Sequence, residues 1–212
     1  EVEILFIGAE GRMEMEKVPA AGYKIIGLPI MGLTRKISLQ IITFIFKLFK
    51  SLRKAKKIIK EFSPLVVVGV GGYASGPAMR SASNLKIPCL IQEQNSYPGI
   101  TNKLMAKRAA KICVAYDNME QFFPKEKIIK TGNPVRQDIT ILDGKRNEAF
   151  DFFGLKPEKP TILIVGGSLG ARTINESIAS GLQKFIENDI QIIWQTGKHY
   201  YETAKAVAAE FD

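Results

Sequence analysis

Residues 161–178 read TILIVGGSLGARTINESI: a short apolar run, a pair of glycines, then a segment whose apolar residues recur at helical spacing. The run Thr161–Val165 is short and mostly β-branched, which marks a buried strand. Gly166 and Gly167 let the chain reverse without Cβ obstruction, Ser168 offers a hydroxyl, and Gly170 permits close packing of the helix that follows. The same order occurs at 65–77, LVVVGVGGYASGP. There a strand over Leu65–Val70 passes through Gly71 and Gly72 to a helix expected to begin near Gly76 and Pro77.

Outward from these two units, apolar runs bounded by turn residues recur: EVEILFIG, YKIIGLPI, PCLIQEQ, KICVAY, KIIKTG and IQIIWQTG. Helix-like stretches lie between most of them, over 38–61, 77–85, 100–109, 173–187 and 200–210. Strands that alternate with helices and are apolar along their whole length indicate a parallel sheet covered on both faces, so the class is α/β, doubly wound. Asn133–Pro160 breaks the rhythm, with prolines at 134, 157 and 160 and a charged stretch, DGKRNEAFDFFG. Such a composition reads as a connection between domains. The expectation is two Rossmann-like domains in tandem, 1–136 and 137–212, with a cleft between them.

A chain of 212 residues with 46% hydrophobic and 24% charged residues has the composition of a folded globular protein. Cys89 and Cys113 each sit in a strand-like run without metal-ligand spacing, and are expected to be free core thiols in a reducing cytosol. The longest uncharged apolar stretch, Ile37–Phe46, is far shorter than the roughly 20 residues that span a bilayer. The chain opens directly on a strand-like run without a basic leader, from which a preceding segment is expected. The formal charge of +9 is local. Nine of the 30 basic residues lie between Thr34 and Lys60 with no acidic one among them, and the remainder balance the 21 acidic residues. One anionic partner at one place is implied, and a generally basic surface is not.

Helix-start N–H groups exposed after a glycine turn face an anion readily, so both turns suit a phosphate or diphosphate. Glycine spacing alone equally fits a close-packed turn without a ligand. A dinucleotide site would want an acidic residue at the end of the next strand. Here IQIIWQTG ends in Gln195 and Thr196, with Asp189 ahead of it, which disfavours NAD and FAD. Aromatics spaced for base stacking are missing, which argues against nucleic acid. His199, the single histidine, reads as a surface residue.

Three strings stand in register: GVGGYASGP (69–77), EQNSYPGITNK (93–103) with GNPVR (132–136), and GGSLGAR (166–172), followed by WQTGK (194–198). In order and spacing they resemble the MurG family of glycosyltransferases across essentially the whole chain. The resemblance implies a GT-B fold of two Rossmann-like domains, both incomplete in this chain. It implies transfer of N-acetylglucosamine (GlcNAc) from UDP-GlcNAc to the 4-hydroxyl of the muramyl sugar of lipid I, with inversion, in peptidoglycan synthesis. Matched by position, Asn95, Arg136 and Ser168 fall at donor contacts, with Gly167 and Gly170 in the same turn as Ser168. Gly71, Gly72, Tyr73 and Ser75 fall at the acceptor diphosphate, and Glu93 and Gln94 accompany Asn95 as acceptor-site candidates. The family's glycine-loop histidine lies outside this chain, so the catalytic base is unassigned and the fragment alone is expected to be inactive.

Inverting transfer needs a base for the attacking hydroxyl and stabilisation of the departing diphosphate, which helix-start amides and Ser168 would supply. No carboxylate pair is arranged for a metal, so neither metal nor cofactor is expected. On the residues alone, Arg136 would equally pair with an acid at the domain joint. Asn95 would equally form the turn into Ser-Tyr-Pro-Gly.

Over the basic segment, Ile41, Ile45, Leu48, Leu52, Ala55, Ile59 and Phe62 form one helical stripe, the expected core face. Ile42, Phe46 and Phe49 form a second arc, with Lys50 and Arg53 beside it. An apolar spot among basic residues suits an anionic membrane surface; packing against a preceding segment is the other reading. The resemblance favours the membrane, since the family carries such a patch near its lipid acceptor. It implies a peripheral enzyme at the cytoplasmic face of the bacterial plasma (inner) membrane.

Overall fold

The apolar runs fold as strands, and the segments between them as the helices that carry the chain across. The computed structural model describes residues 2–30, 32, 40–167 and 169–211. The order is β1 (Leu5–Ala9), α1 (Glu14–Ala20), β2 (Lys24–Leu28), α2 (Gln40–Phe62), β3 (Val67–Gly69), α3 (Gly72–Asn84), β4 (Cys89–Glu93), α4 (Ile100–Met105), β5 (Lys111–Val114) and β6 (Ile128–Lys130). Then come α5 (Lys145–Phe153), β7 (Thr161–Val165), α6 (Arg172–Glu187), β8 (Gln191–Gln195) and α7 (Tyr201–Ala208). The chain divides into two compact units, Glu1–Pro134 and Val135–Asp212, so Arg136 lies with the second. Arg35, Lys36, Ser168 and the expected helix start at Ser38 are outside the described residues.

All strand pairings among the described residues are parallel: β1 with β2, β3-β4-β5-β6 in that order, and β7 with β8. Parallel neighbours need a crossover, and the helices and longer connections between strands supply it. Helix α3 touches both β1 and β3 and so bridges the two sheets of the first unit. One apolar cluster, including Met79, Ile91, Ile112 and Val114, fills the space under α3 and α4. A second, including Leu28, Ala55, Ile58 and Ala74, lies under α2. Cover on both faces is incomplete in this chain, because Val66, Val68 and Val70 at β3 and Leu163 and Val165 on β7 are exposed.

Three local readings need correction. The helix after the first glycine turn begins at Gly72, ahead of the expected Gly76–Pro77 start. Gly71 and Gly72, at φ +88° and +76°, complete the reversal in two residues. Pro77 then lies inside α3, where it removes the N–H that would bond the Tyr73 carbonyl. Helix α1 was not expected at all; it buries none of its residues fully, so it has no apolar stripe to read.

The third concerns α2. Its buried face runs from half-buried Leu48 through Ser51, Ala55, Ile58 and Ile59, and Ile45, expected on the core stripe, is 45% exposed. Ser51 and Ala55 are both fully buried, so the contact seam with α3 follows the small residues that let two helices approach. Ile42, Phe46 and Phe49 are 55%, 73% and 64% exposed, as the second arc requires. Both cysteines are free; Cys89 is buried and Cys113 half-buried. Burial pushes the Cys89 thiol above its ordinary value. No helix of the described residues is long and apolar enough to cross a membrane.

Candidate functional site

Parallel strands end on the same side of their sheet, so the loops after β3, β4 and β6 gather along one edge, the usual ligand edge of such sheets. Glu93, the last residue of β4, is 1% exposed. Its Oε1 accepts hydrogen bonds from the Asn95 backbone N–H (3.0 Å) and from Asn95 Nδ2 (3.1 Å). Its Oε2 accepts from the Gly99 N–H (3.1 Å) and from Asn102 Nδ2 (2.8 Å). Glu93, expected among the acceptor-site residues, is thus turned inward and holds the 94–102 loop. Asn95 itself is exposed. Gln94 is half-buried, donates to the Gln92 carbonyl at 3.2 Å and accepts at its own carbonyl from Asn133 Nδ2 at 3.2 Å. That bond ties the GNPVR string to the EQN string.

The first glycine turn reaches the same loop through Asn102. This residue is 2% exposed, and a Cβ on Gly71 would lie 3.7 Å from its Nδ2. A Cβ on Gly72 would meet nothing within 4 Å, so the backbone there is open to a ligand. Helix α3 continues for 13 residues, and at its start the N–H groups of Gly71 to Ala74 lack intrahelical acceptors. Tyr73 is 49% exposed; its ring lies against Gly32, with the Arg12 guanidinium 5.8 Å from the ring centroid. Ser75 departs from the expectation. Its hydroxyl is buried against Gly69 without a hydrogen-bond partner among the described residues, and its N–H makes the first intrahelical bond, to the Gly71 carbonyl, so Ser75 offers the turn neither group. Arg12 and Asn102 were missed in the sequence: Arg12 precedes a helix without a readable stripe, and Asn102 looks like any polar residue on a short helix.

In the second unit β7 leads through Gly166 and Gly167 into a turn closed by the Gly170 N–H on the Gly167 carbonyl at 3.0 Å. Helix α6 then runs for 16 residues from Arg172. The glycines differ in purpose. Gly167, at φ +79°, has nothing within 4 Å of where a Cβ would stand. A Cβ on Gly170 would stand 2.0 Å from the Thr196 carbonyl oxygen, so Gly170 serves packing and Gly167 leaves the backbone open. The WQTGK string holds this turn from behind. Gln195 Oε1 accepts from the Gly166 N–H at 3.2 Å, and Asn175 donates to the Thr196 carbonyl at 2.8 Å while accepting from Trp194 Nε1 at 3.0 Å. Arg136 is exposed at the start of the short turn Gln137–Ile139, and His199 is exposed. Among the described residues no three His, Cys, Asp or Glu side chains are grouped to hold a metal ion.

Comparison with known proteins adds to this geometry. The model of the glycosyltransferase family 28 N-terminal domain matches residues 1–114, and that of the family's C-terminal domain matches 161–212. A Parabacteroides distasonis protein is 61% identical over 204 residues, which is 96% of this chain and 55% of the relative. It is named UDP-N-acetylglucosamine--N-acetylmuramyl-(pentapeptide) pyrophosphoryl-undecaprenol N-acetylglucosamine transferase. A Flavobacterium psychrophilum protein of the same name is 60% identical over 203 residues, again covering 96% of this chain and 55% of the relative. This chain therefore spans about half the length of those relatives. The crystal structure of Acinetobacter baumannii MurG superposes with a TM-score of 0.66 at 29% identity, over 98% of this chain and 54% of that one. A Neisseria meningitidis UDP-GlcNAc 2-epimerase bound to UDP-GlcNAc shares the fold, with a TM-score of 0.60 at 18% identity over 99% of this chain and 62% of that one.

Proposed function

We propose, since this chain belongs to glycosyltransferase family 28, that the full-length protein transfers GlcNAc from UDP-GlcNAc to the 4-hydroxyl of the muramyl sugar of lipid I, with inversion. The observation that carries this reading is the pair of glycine turns, each open at one glycine (Gly72, Gly167) and each followed by a helix of more than three turns. Relatives about 60% identical carry the name of that transferase. The positive end of a helix dipole amounts to about half a charge, which favours a diphosphate at each turn. Gly71, Gly72 and the backbone N–H of Tyr73 take the acceptor diphosphate. In the second unit the turn at Gly167–Gly170, with Ser168 and Arg136, takes the sugar nucleotide; in the first, Asn95 is a donor contact by its match to the family's motif. Preorganised amides of this kind stabilise the departing UDP without reorganisation as its charge develops.

The exposed arc of α2 seats the enzyme on its membrane. Ile42, Phe46 and Phe49 project from it, and Lys50 and Arg53 beside them are exposed. Each basic residue near an anionic surface contributes about 1 kcal/mol, so a peripheral attachment at the cytoplasmic face of the inner membrane follows. Two assays on the full-length protein test these readings. Label from UDP-GlcNAc should appear in a disaccharide product only when a lipid I analogue is present; consumption of UDP-GlcNAc by epimerisation without acceptor overturns the transferase reading. Ile42→Glu with Phe46→Glu should leave the protein in the supernatant when anionic vesicles are sedimented, and pelleting equal to the unmodified protein overturns the membrane reading.

A further inference from the structure

We infer that Glu93 is a positioning residue that fixes which end of the Asn95 amide faces the ligand, and so makes Asn95 a reader of hydrogen-bond donors. A carboxyl group whose two oxygens each face two N–H donors acts towards them only as an acceptor. Glu93 Oε1 stands 3.1 Å from the Asn95 side-chain nitrogen, so that end of the amide must be the NH₂ group. The carbonyl Oδ1 then points away from Glu93, on an exposed residue, and no bond to it occurs among the described residues. The same carboxylate also holds the Asn95 backbone N–H, the Gly99 N–H and the Asn102 side chain, which fix its own position, so turning the Asn95 amide over would set Oδ1 against Glu93 Oε1 in place of a hydrogen bond. An outward carbonyl oxygen repels a phosphate oxygen and selects a hydroxyl or N–H. On the functional reading above, on which this inference rests, Asn95 thus contacts a hydroxyl or the acetamido N–H of the sugar nucleotide, and its diphosphate is held elsewhere.

Exchanging the two groups tests the idea in the full-length protein. Asn95→Asp sets one carboxylate against another, and Glu93→Gln offers an NH₂ that turns the Asn95 amide over. Each should raise KM for UDP-GlcNAc about tenfold, with kcat within about threefold, which is the scale of one misplaced hydrogen bond. The double variant Glu93→Gln/Asn95→Asp again pairs an amide with a carboxylate at the side chains and again presents an acceptor outward, while the residue-95 backbone N–H loses its acceptor as it does in Glu93→Gln alone. Its KM should fall below that of Glu93→Gln, with which it shares the loss at the backbone N–H, whereas purely structural losses would multiply. A double variant no better than Glu93→Gln overturns the inference. If Glu93→Gln does not fold, Glu93→Asp withdraws the charge by one methylene, and a KM unchanged by it overturns the inference equally. Unmodified protein without saturable dependence on UDP-GlcNAc sinks the functional reading and this inference with it; normal wild-type kinetics without rescue sinks the inference alone.

Discussion

Gly167 and Gly170 stand three residues apart at the same φ of +79°, yet they do opposite things. A methyl on Gly170 would press on the Thr196 carbonyl, while one on Gly167 would meet open space. Gly170→Ala combines left-handed strain with overpacking and should cost about 3 kcal/mol or more, whereas Gly167→Ala should cost about 1 kcal/mol from strain alone. Denaturant unfolding of the two variants checks this, and equal losses would contradict the packing role. The pair also shows what a sequence displays at this scale. Gly167 is legible as a turn former and Gly170 as a packing glycine, but that Gly170 is pressed on Thr196, a residue of another loop, is not. Ser75 teaches the same lesson: its hydroxyl reads as a ligand to phosphate, and it lies buried against Gly69.

Among the elements, α2 is the one whose two faces carry separate meanings. Its 23 residues bury a seam of small side chains against α3 and leave Ile42, Phe46 and Phe49 outside. Ser51 is fully buried with its hydroxyl unpartnered, so Ser51→Ala should be neutral or stabilise by up to about 1 kcal/mol. Ala55→Leu at the same seam should destabilise by about 1–3 kcal/mol, because a close-packed contact does not accept three extra carbons. Thermal unfolding of the two variants should shift in opposite directions or leave Ser51→Ala unmoved; a loss on Ser51→Ala would show a partner for that hydroxyl. The apolar period of 3.6 announced the helix. The face that packs was missed by part of a turn, because Ile45 outranks Ser51 in hydrophobicity while the approach of α3 rewards the smaller residue.

For the chain as a whole, the division after Pro134 is followed by a stretch in which Val135, Ile139, Ile141 and Leu142 are all at least half exposed. Limited proteolysis should cut first within 135–144 and leave two resistant fragments, one for each unit, as mass spectrometry would record. Early cuts inside β3–β6 would contradict the division. The alternation of continuous apolar runs with amphipathic segments was enough by itself to set the strand positions, the parallel class and the two glycine turns, because burial on both faces and the helical period leave marks on local composition. Motif order was enough to identify the family. Only the tertiary structure decided that Glu93 faces inward, that Asn102 joins the EQN loop to the Gly71 turn, and that Gly170 packs on the Thr196 carbonyl. Each of these depends on which distant groups share a hydrogen bond or a van der Waals contact, and chain-local chemistry does not encode such pairings.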